Sequence, residues 1–336
     1  MPHAPSSELP GAGHPPSAPL GAPVTAETLE ACLTEAVASS PGGARDGRAG
    51  LFGPGSALWQ VDREALVFLG AARALLLQLA HPWVAEGVAE HSVALQDPLG
   101  RFHRTFGHVY AMVFGTTDQA LTAARRLHRR HGAVTGTLAE GGGGFAPGSA
   151  YQANRTDALA WVHATLADTA LRVHDMVLPP LDPAVRERYW QENRRFGLLF
   201  GIPADSLPDD WAGFQDSCRN LWGGPELTVT RAARHVAWTL FSGGSPWMRL
   251  PGWYLDLTAM TMPPALRDGF GLAWGPRQER RAKRVLFLIR RSYPLLPTAL
   301  RHVGPYREAA GRLAGRERPA PYTRLLNRAW IGRPAI

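Results

Sequence analysis

From Ala65 onward the apolar positions recur at spacings of three and four: Ala65, Leu66, Leu69, Ala72, Leu75, Leu76, Leu79. That is the period of one helix face. Further apolar residues lie between them, so this helix, starting at Ser56 or Asp62, is expected to be buried on most sides. Pro82 ends or kinks it and leaves His81 extended or in a turn. The helical pattern resumes over 83–91. Asp97-Pro98-Leu-Gly100 is turn chemistry, with proline suited to the first turn of a helix over 99–114 that stops at Gly115. Thr117 or Asp118 caps the next, over 119–134. Later helices are predicted over 156–176, 183–200, 211–222, 230–240, 264–273, 276–291 and 297–314, with Asp, Thr or Pro marking most of their starts. A short one spans 26–39, capped by Thr25 or Thr28. The stretch 140–149 holds four consecutive glycines and reads as a loop. No run alternates with the period of a strand and no segment repeats.

The pattern predicts an all-α protein with a single large helical domain over residues 51–315. Before it lies a flexible Pro/Gly/Ala-rich segment, 1–50, and after it a basic tail, 316–336. The 336 residues suffice for a sizeable core, and 45% hydrophobic with 19% charged residues is a globular composition. Charge changes the picture little. The net charge is +8, but Lys283 is the only lysine, a bias that a GC-rich genome would produce. The arginines are scattered and form no aromatic-interleaved stripe, so nucleic acid is not an expected partner. Peripheral contact with a lipid surface is compatible with the charge, although no amphipathic anchor stands out. Cys32, in the flexible leader, and Cys218 make neither a disulfide framework nor a cysteine-rich metal site. Residues 1–19 lack an apolar core of a secretory signal, and no apolar run reaches membrane-spanning length, so a cytoplasmic protein is expected. The sequence does not specify an oligomeric state.

Chemistry concentrates between Ala74 and Gly136, where six of the twelve histidines fall. On the helix over 99–114, Arg101, Arg104, Thr105, His108 and Met112 share one face. Taken alone, that face reads as a solvated basic surface. The alternative is the polar edge of a buried pocket. On the following helix His128 and His131 stand one turn apart, close enough to chelate one metal. Four arginines (Arg125, Arg126, Arg129 and Arg130) crowd them and disfavour a bare cation. A single neutral histidine on haem iron suits the surroundings better, because arginines can pair with propionates. His131 continues an apolar stripe of alanines and is the inward candidate. No paired Glu-x-x-His, phosphate loop, His-Glu-x-x-His or Gly-x-Ser-x-Gly motif is present, which leaves a helical haem pocket as the best fit.

The run Ala74-Leu-Leu-Leu-Gln-Leu-Ala-His-Pro-Trp-Val-Ala-Glu-Gly-Val-Ala-Glu-His-Ser92 is followed by Asp97-Pro-Leu-Gly-Arg101, Arg104-Thr105, Phe114-Gly-Thr116, His131 and Trp161-Val-His-Ala-Thr165. In this order they resemble the rubber oxygenase (latex-clearing protein) and MpaB-type oxygenase family, well over 53–222 and weakly beyond. The resemblance implies a globin-like helical core, one haem b and O2-dependent oxidation, with carbon–carbon double bonds of isoprenoid chains as substrates of characterised members. His131 matches the proximal iron ligand, and Arg101 and Thr105 match the distal arginine and threonine. Arg104 stands where the rubber enzymes carry a lysine able to close the sixth iron site, a role a guanidinium cannot take. Thr135 replaces an arginine. A small apolar alkene is then expected against Leu75, Leu79, Val109 and Met112. His81, His91, His103, His108 and His163 are expected to be buried and bonded to backbone carbonyls, with His163 the best of them as an additional cofactor contact. The alternatives are a helical haem or lipid carrier without turnover, and a non-haem metal hydrolase using His128 and His131.

Overall fold

The computed structural model describes residues 21–41, 47–91, 97–242 and 250–336. The expected mobility of 1–20, and Ser92 at the end of the first motif, lie outside them. Among the described residues the chain is all-α: sixteen α-helices, short 3-10 turns and one two-stranded sheet.

The predicted first long helix is three pieces: α2 (Ala57–Asp62), a 3-10 turn (Ala65–Gly70) and α3 (Ala71–Leu79). Ser56 caps α2, its hydroxyl accepting from the Trp59 N–H. The break falls at Glu64, 2% exposed. Its carboxylate accepts from Tyr293 Oη at 2.9 Å and Arg301 Nη2 at 2.9 Å, which pulls the backbone off the helical path toward the C-terminal third. Pro82 opens α4 (Pro82–His91), bent by 103° from the preceding stretch. No single described helix is long and apolar enough to cross a membrane.

The next pair follows expectation closely: α5 (Pro98–Phe114) and α6 (Thr117–Gly132). The α6 cap is Thr116, one residue earlier than predicted, in a capping box with Gln119. After α6 the chain forms β1 (Thr135–Thr137), paired antiparallel with β2 (Ala150–Gln152) around the glycine loop. This corrects the expectation of no strands. Three residues per strand are too few to show an alternating pattern.

Then come α7 (Thr156–Val177), α8 (Pro183–Leu198), α9 (Trp211–Gly223), α10 (Arg231–Ser242), α11 (Gly252–Thr261), α12 (Pro264–Gly269) and α13 (Pro276–Ser292). α11 was not predicted. It buries Asp256 and Thr258 beside Leu257 and Ala259, so it has no apolar stripe to read. The helix expected over 297–314 is split into α14 (Thr298–Arg301) and α15 (Gly304–Leu313). Between them the Val303 N–H bonds to Arg63 O at 2.9 Å, and Pro305 starts α15 afresh.

Two further expectations are corrected. The described part of the leader is packed, not loose: α1 (Ala26–Ala38) buries Leu29, Cys32, Leu33 and Ala36, so Cys32 is a core thiol. The basic tail contains α16 (Pro321–Ile331), whose Thr323, Asn327 and Ile331 are buried. Asn327 Nδ2 bonds to Glu308 Oε2 at 2.6 Å.

One feature of the core orients the site. Phe102, Phe106, Tyr110 and Phe114 follow at intervals of four along α5, with successive centroids 4.7, 5.8 and 5.6 Å apart. Phe68 packs on this row at 4.6 Å from Phe106, and Trp330 of α16 lies 4.3 Å from Phe68. The aromatic side of α5 is thereby fixed inward. Helical phase then leaves Arg101, Thr105, His108 and Met112 together on a different side.

Candidate functional site

The site is built on α5 and α6, which run back from the Gly115-Thr116 turn as an antiparallel pair. On α6 the buried residues are Ala120, Ala123 and Ala124. His131 continues that stripe, being two turns on from Ala124. The small side chains lie in the half of α6 nearer the turn that joins it to α5, and the imidazole comes at the far end of α6.

The last turn of α6 is tied from several directions. His128 Nε2 donates to the Val24 carbonyl at 3.1 Å. Asn154 Nδ2 donates to His128 O at 3.0 Å. The Val134 N–H closes on His131 O at 2.9 Å, and Ala153 N on Val134 O at 3.0 Å. Arg125 fastens the same helix to α1 through a two-pronged pair with Glu30, both contacts 2.7 Å. His131 is therefore mounted on a turn whose backbone is held by residues from the leader and the hairpin.

The histidines separate by their partners. His91 bonds to Thr135 O at 2.9 Å, His103 to Ala329 O at 3.1 Å and His163 to Asn193 O at 2.9 Å, the carbonyl partners expected, but of the three only His163 is buried; His91 is exposed and His103 half-buried. His108 and His81 depart from that expectation, since neither has a carbonyl partner among the described residues. His81 is buried against Trp83 and Phe145 with its Nδ1 unpartnered. His108 is half-buried on the α5 face that meets α6, and its proton affinity is lowered by burial and by Arg130, Arg333 and Arg126.

The His131 imidazole likewise has no hydrogen-bond partner among the described residues. Burial pushes its pKa down to about 4, and the neighbouring His128, His108 and Arg130 add to this. The ring is nonetheless only half-buried by surface area. The surroundings thus desolvate the imidazole while leaving part of its surface accessible. A neutral imidazole with no protein acceptor, on a rigid mount, is what a single-histidine axial ligand requires.

On α5, Arg101 is also desolvated, its pKa lowered by burial and then by Arg104, yet partly accessible. Thr105, one turn on, is exposed. Arg104 is turned back to the helix start, with Nη1 3.1 Å from Asp97 Oδ2, while its Nη2 is buried and unpartnered. Arg101, Thr105 and His108 thus share a helix face and Arg104 its edge. His108 joins that face electrostatically to His131.

The other residues singled out in the sequence fall elsewhere. His163 makes its hydrogen bond and its ring contacts, at 6.0 Å to both Trp190 and Phe196, with α8. His128 has its Nε2 committed to Val24, so chelating a cation with His131 through that atom would break the tie that holds the turn. No cluster of three His, Cys, Asp or Glu side chains able to hold a metal ion occurs among the described residues. Val109 and Met112 pack in the core cluster of α5 and α6, whereas Leu75 and Leu79 belong to a second one with α4 and α10.

Beside His108 a cavity of about 630 Å³ runs between α5, α6 and the end of α16. Ala111, Ala123 and Ile331 give it apolar walls, and Arg104, Arg126 and Arg333 give it cationic edges. Sequence reasoning missed this wall because Ile331 and Arg333 lie over two hundred residues from α5, in a stretch that reads as a polar tail.

Comparison with known proteins agrees with this architecture. Two curated relatives, uncharacterised proteins of Mycobacterium bovis and Mycobacterium tuberculosis, are each 26% identical over 232 residues, covering 66% of this chain and 87% of theirs. No solved structure matches significantly. Residues 58–291 match the family described as ER-bound oxygenase mpaB/B'/rubber oxygenase, catalytic domain, a span that takes in α2 to α13 and both site helices. The chain therefore belongs to the MpaB/rubber oxygenase family of oxygenases.

Proposed function

We propose that the protein is a haem b-dependent oxygenase, a dioxygenase, that acts on a small apolar alkene, isoprenoid or lipid-like, within the cytoplasm. The observation that carries this reading is His131: a desolvated, neutral and partner-free imidazole on a turn held from several sides. The residues present fit the cofactor: His131 would bind its iron, and Arg101 and Thr105 stand on the neighbouring helix. Arg126 and Arg130, close to His108, are placed to balance the negative charge of its carboxylates.

When bound, the haem supplies the iron chemistry that activates O2, which no side chain here can provide. The chain contributes position and field. His131 stays unprotonated at any pH well above 4, so its lone pair is free for coordination. Arg101 keeps its charge despite burial and would be a donor in a poorly solvated setting, where a fixed donor is worth far more than in water. The Thr105 hydroxyl adds a donor one turn away. Met112, fully buried, and Val109 make the C-terminal half of that face apolar. Arg104 is held by Asp97 and, as a guanidinium, would offer no neutral amine to a metal.

The test is direct. Protein purified from cells supplied with haem should show a Soret band, and His131→Ala should lose it while keeping its helical circular dichroism. Oxygen consumption with an isoprenoid alkene should follow haem content. A Soret band with no oxygen uptake on any alkene would instead support a carrier of haem or lipid without turnover. A colourless protein would rule out both readings.

A further inference from the structure

α13 is unlike the other helices in what it shows to solvent. It holds seven basic residues against one acid, Glu279. Its inner side is set by Ala282, which is buried, and by Leu286 and Ile289, which pack with Val173 and Val177 of α7. At 100° per residue the opposite side is a stripe of Arg277, Arg280, Arg284, Phe287 and Arg291, all exposed.

The cations off this stripe are engaged: Arg281 with Asp256, Lys283 with Glu279 and Arg290 with the Met176 carbonyl. Arg277, Arg280, Arg284 and Arg291 have no carboxylate partner among the described residues. Four guanidinium groups that form no ion pair among the described residues thus line one helix face.

Bare apolar side chains accompany them. Phe287 is 62% exposed and Leu288 58%. The chain then turns through a 3-10 segment (Tyr293–Leu295) into α14, where Leu295 is 82% and Leu300 59% exposed. Tyr322 Oη bonds to Ala299 O at 3.1 Å and brings α16 alongside, which adds Leu325 at 61%. Singly exposed leucines are ordinary. Several on consecutive elements, bordered by unpaired arginines, mark a surface that meets something.

We infer that the outer face of α13, with the Leu295–Leu300 turn, docks the protein on an anionic lipid surface. Charge decides the partner. A second copy would bring the same unpaired arginines face to face, and nucleic acid would leave the leucines without a dry contact. An anionic bilayer satisfies both components: headgroups take the arginines while Phe287, Leu288, Leu295 and Leu300 enter the boundary with the acyl chains. The sequence showed scattered arginines and no anchor. The anchor is assembled only when α13, the turn and α14 fold together. Docking would present an apolar substrate where it is concentrated, but the inference does not depend on the haem reading.

The full-length protein should sediment with vesicles of equal parts phosphatidylcholine and phosphatidylglycerol, and not with phosphatidylcholine alone. Raised salt should release it. Each arginine near such a surface is worth about fivefold in partitioning. The triple variant Arg280→Gln, Arg284→Gln, Arg291→Gln should therefore bind on the order of 100-fold more weakly. Phe287→Ser with Leu295→Ser should also weaken binding while leaving thermal unfolding unchanged, because both side chains are already in water. The inference is overturned if anionic vesicles do not sediment the wild type, or if either variant binds as the wild type does. It is also overturned if the variants abolish duplex DNA binding or self-association and leave vesicle binding intact.

Discussion

His163 and His131 show how one residue type is divided by what it touches. Both are held down to about 4 by burial, but His163 spends its N–H on Asn193 O while His131 has no such partner. For His163 the consequence is a stability term with a definite sign. Its folded pKa lies below the ordinary value of about 6.5. Above that, the ring is neutral in both states and contributes no pH dependence. Between about 6.5 and 4 only the unfolded chain takes the proton, so the wild type loses stability as pH falls. In His163→Gln this term is absent. Denaturant titrations should show the variant gaining on the wild type by up to about 1.4 kcal/mol per pH unit across that window and no further below it. The residue types and their helical spacing were readable from the sequence. The partners were not, because Val24, Asn193 and Ala329 are remote in the chain from the histidines they hold. The lack of a partner on His131 could be seen only once the others had been placed.

Among the elements, the largest departure from the periodic pattern is the break between α2 and α3, and it has a chemical cause. Glu64 is pulled up by burial, but bonds from His302, Arg301 and Tyr293 outweigh this and hold it near 2. Glu64→Ala would strand Arg301 and leave the Tyr293 hydroxyl without its acceptor. A loss of about 3–5 kcal/mol is expected in chemical denaturation. The comparison is Glu30→Ala, which removes a pair of equally good geometry whose partners are about half-exposed. It should cost under about 1 kcal/mol. Caps and proline starts were readable locally, as at Ser56, Asp97 and Asp210. The hairpin, the α14–α15 split and α11 were not. Each depends on a contact with a distant segment or on an interior that is polar as well as apolar.

At the level of the whole molecule, the family match and the folded unit do not coincide. The match ends at 291, but α16 lies on α5 and contributes a wall of the cavity beside His108. Gly332, at φ +70°, packs so close to His103 that any side chain there would collide with the ring. A chain truncated after Gly315 should lose Trp330 from Phe68 and expose the α5 aromatic row. We expect a lower melting temperature and greater binding of a hydrophobic dye than in the full-length protein.

The placement of α16 also sets an order of events during synthesis. α5 and α6 leave the ribosome roughly two hundred residues before it. At about 5–20 residues per second, that is an interval on the order of ten seconds or more. Throughout it the cavity beside His108 has two walls and no third. A ligand seated between the site helices during translation meets an open trough, whereas in the finished chain Ile331, Gly332 and Arg333 line the same space. The last wall of the cavity is in this way also the last part of the chain to be made.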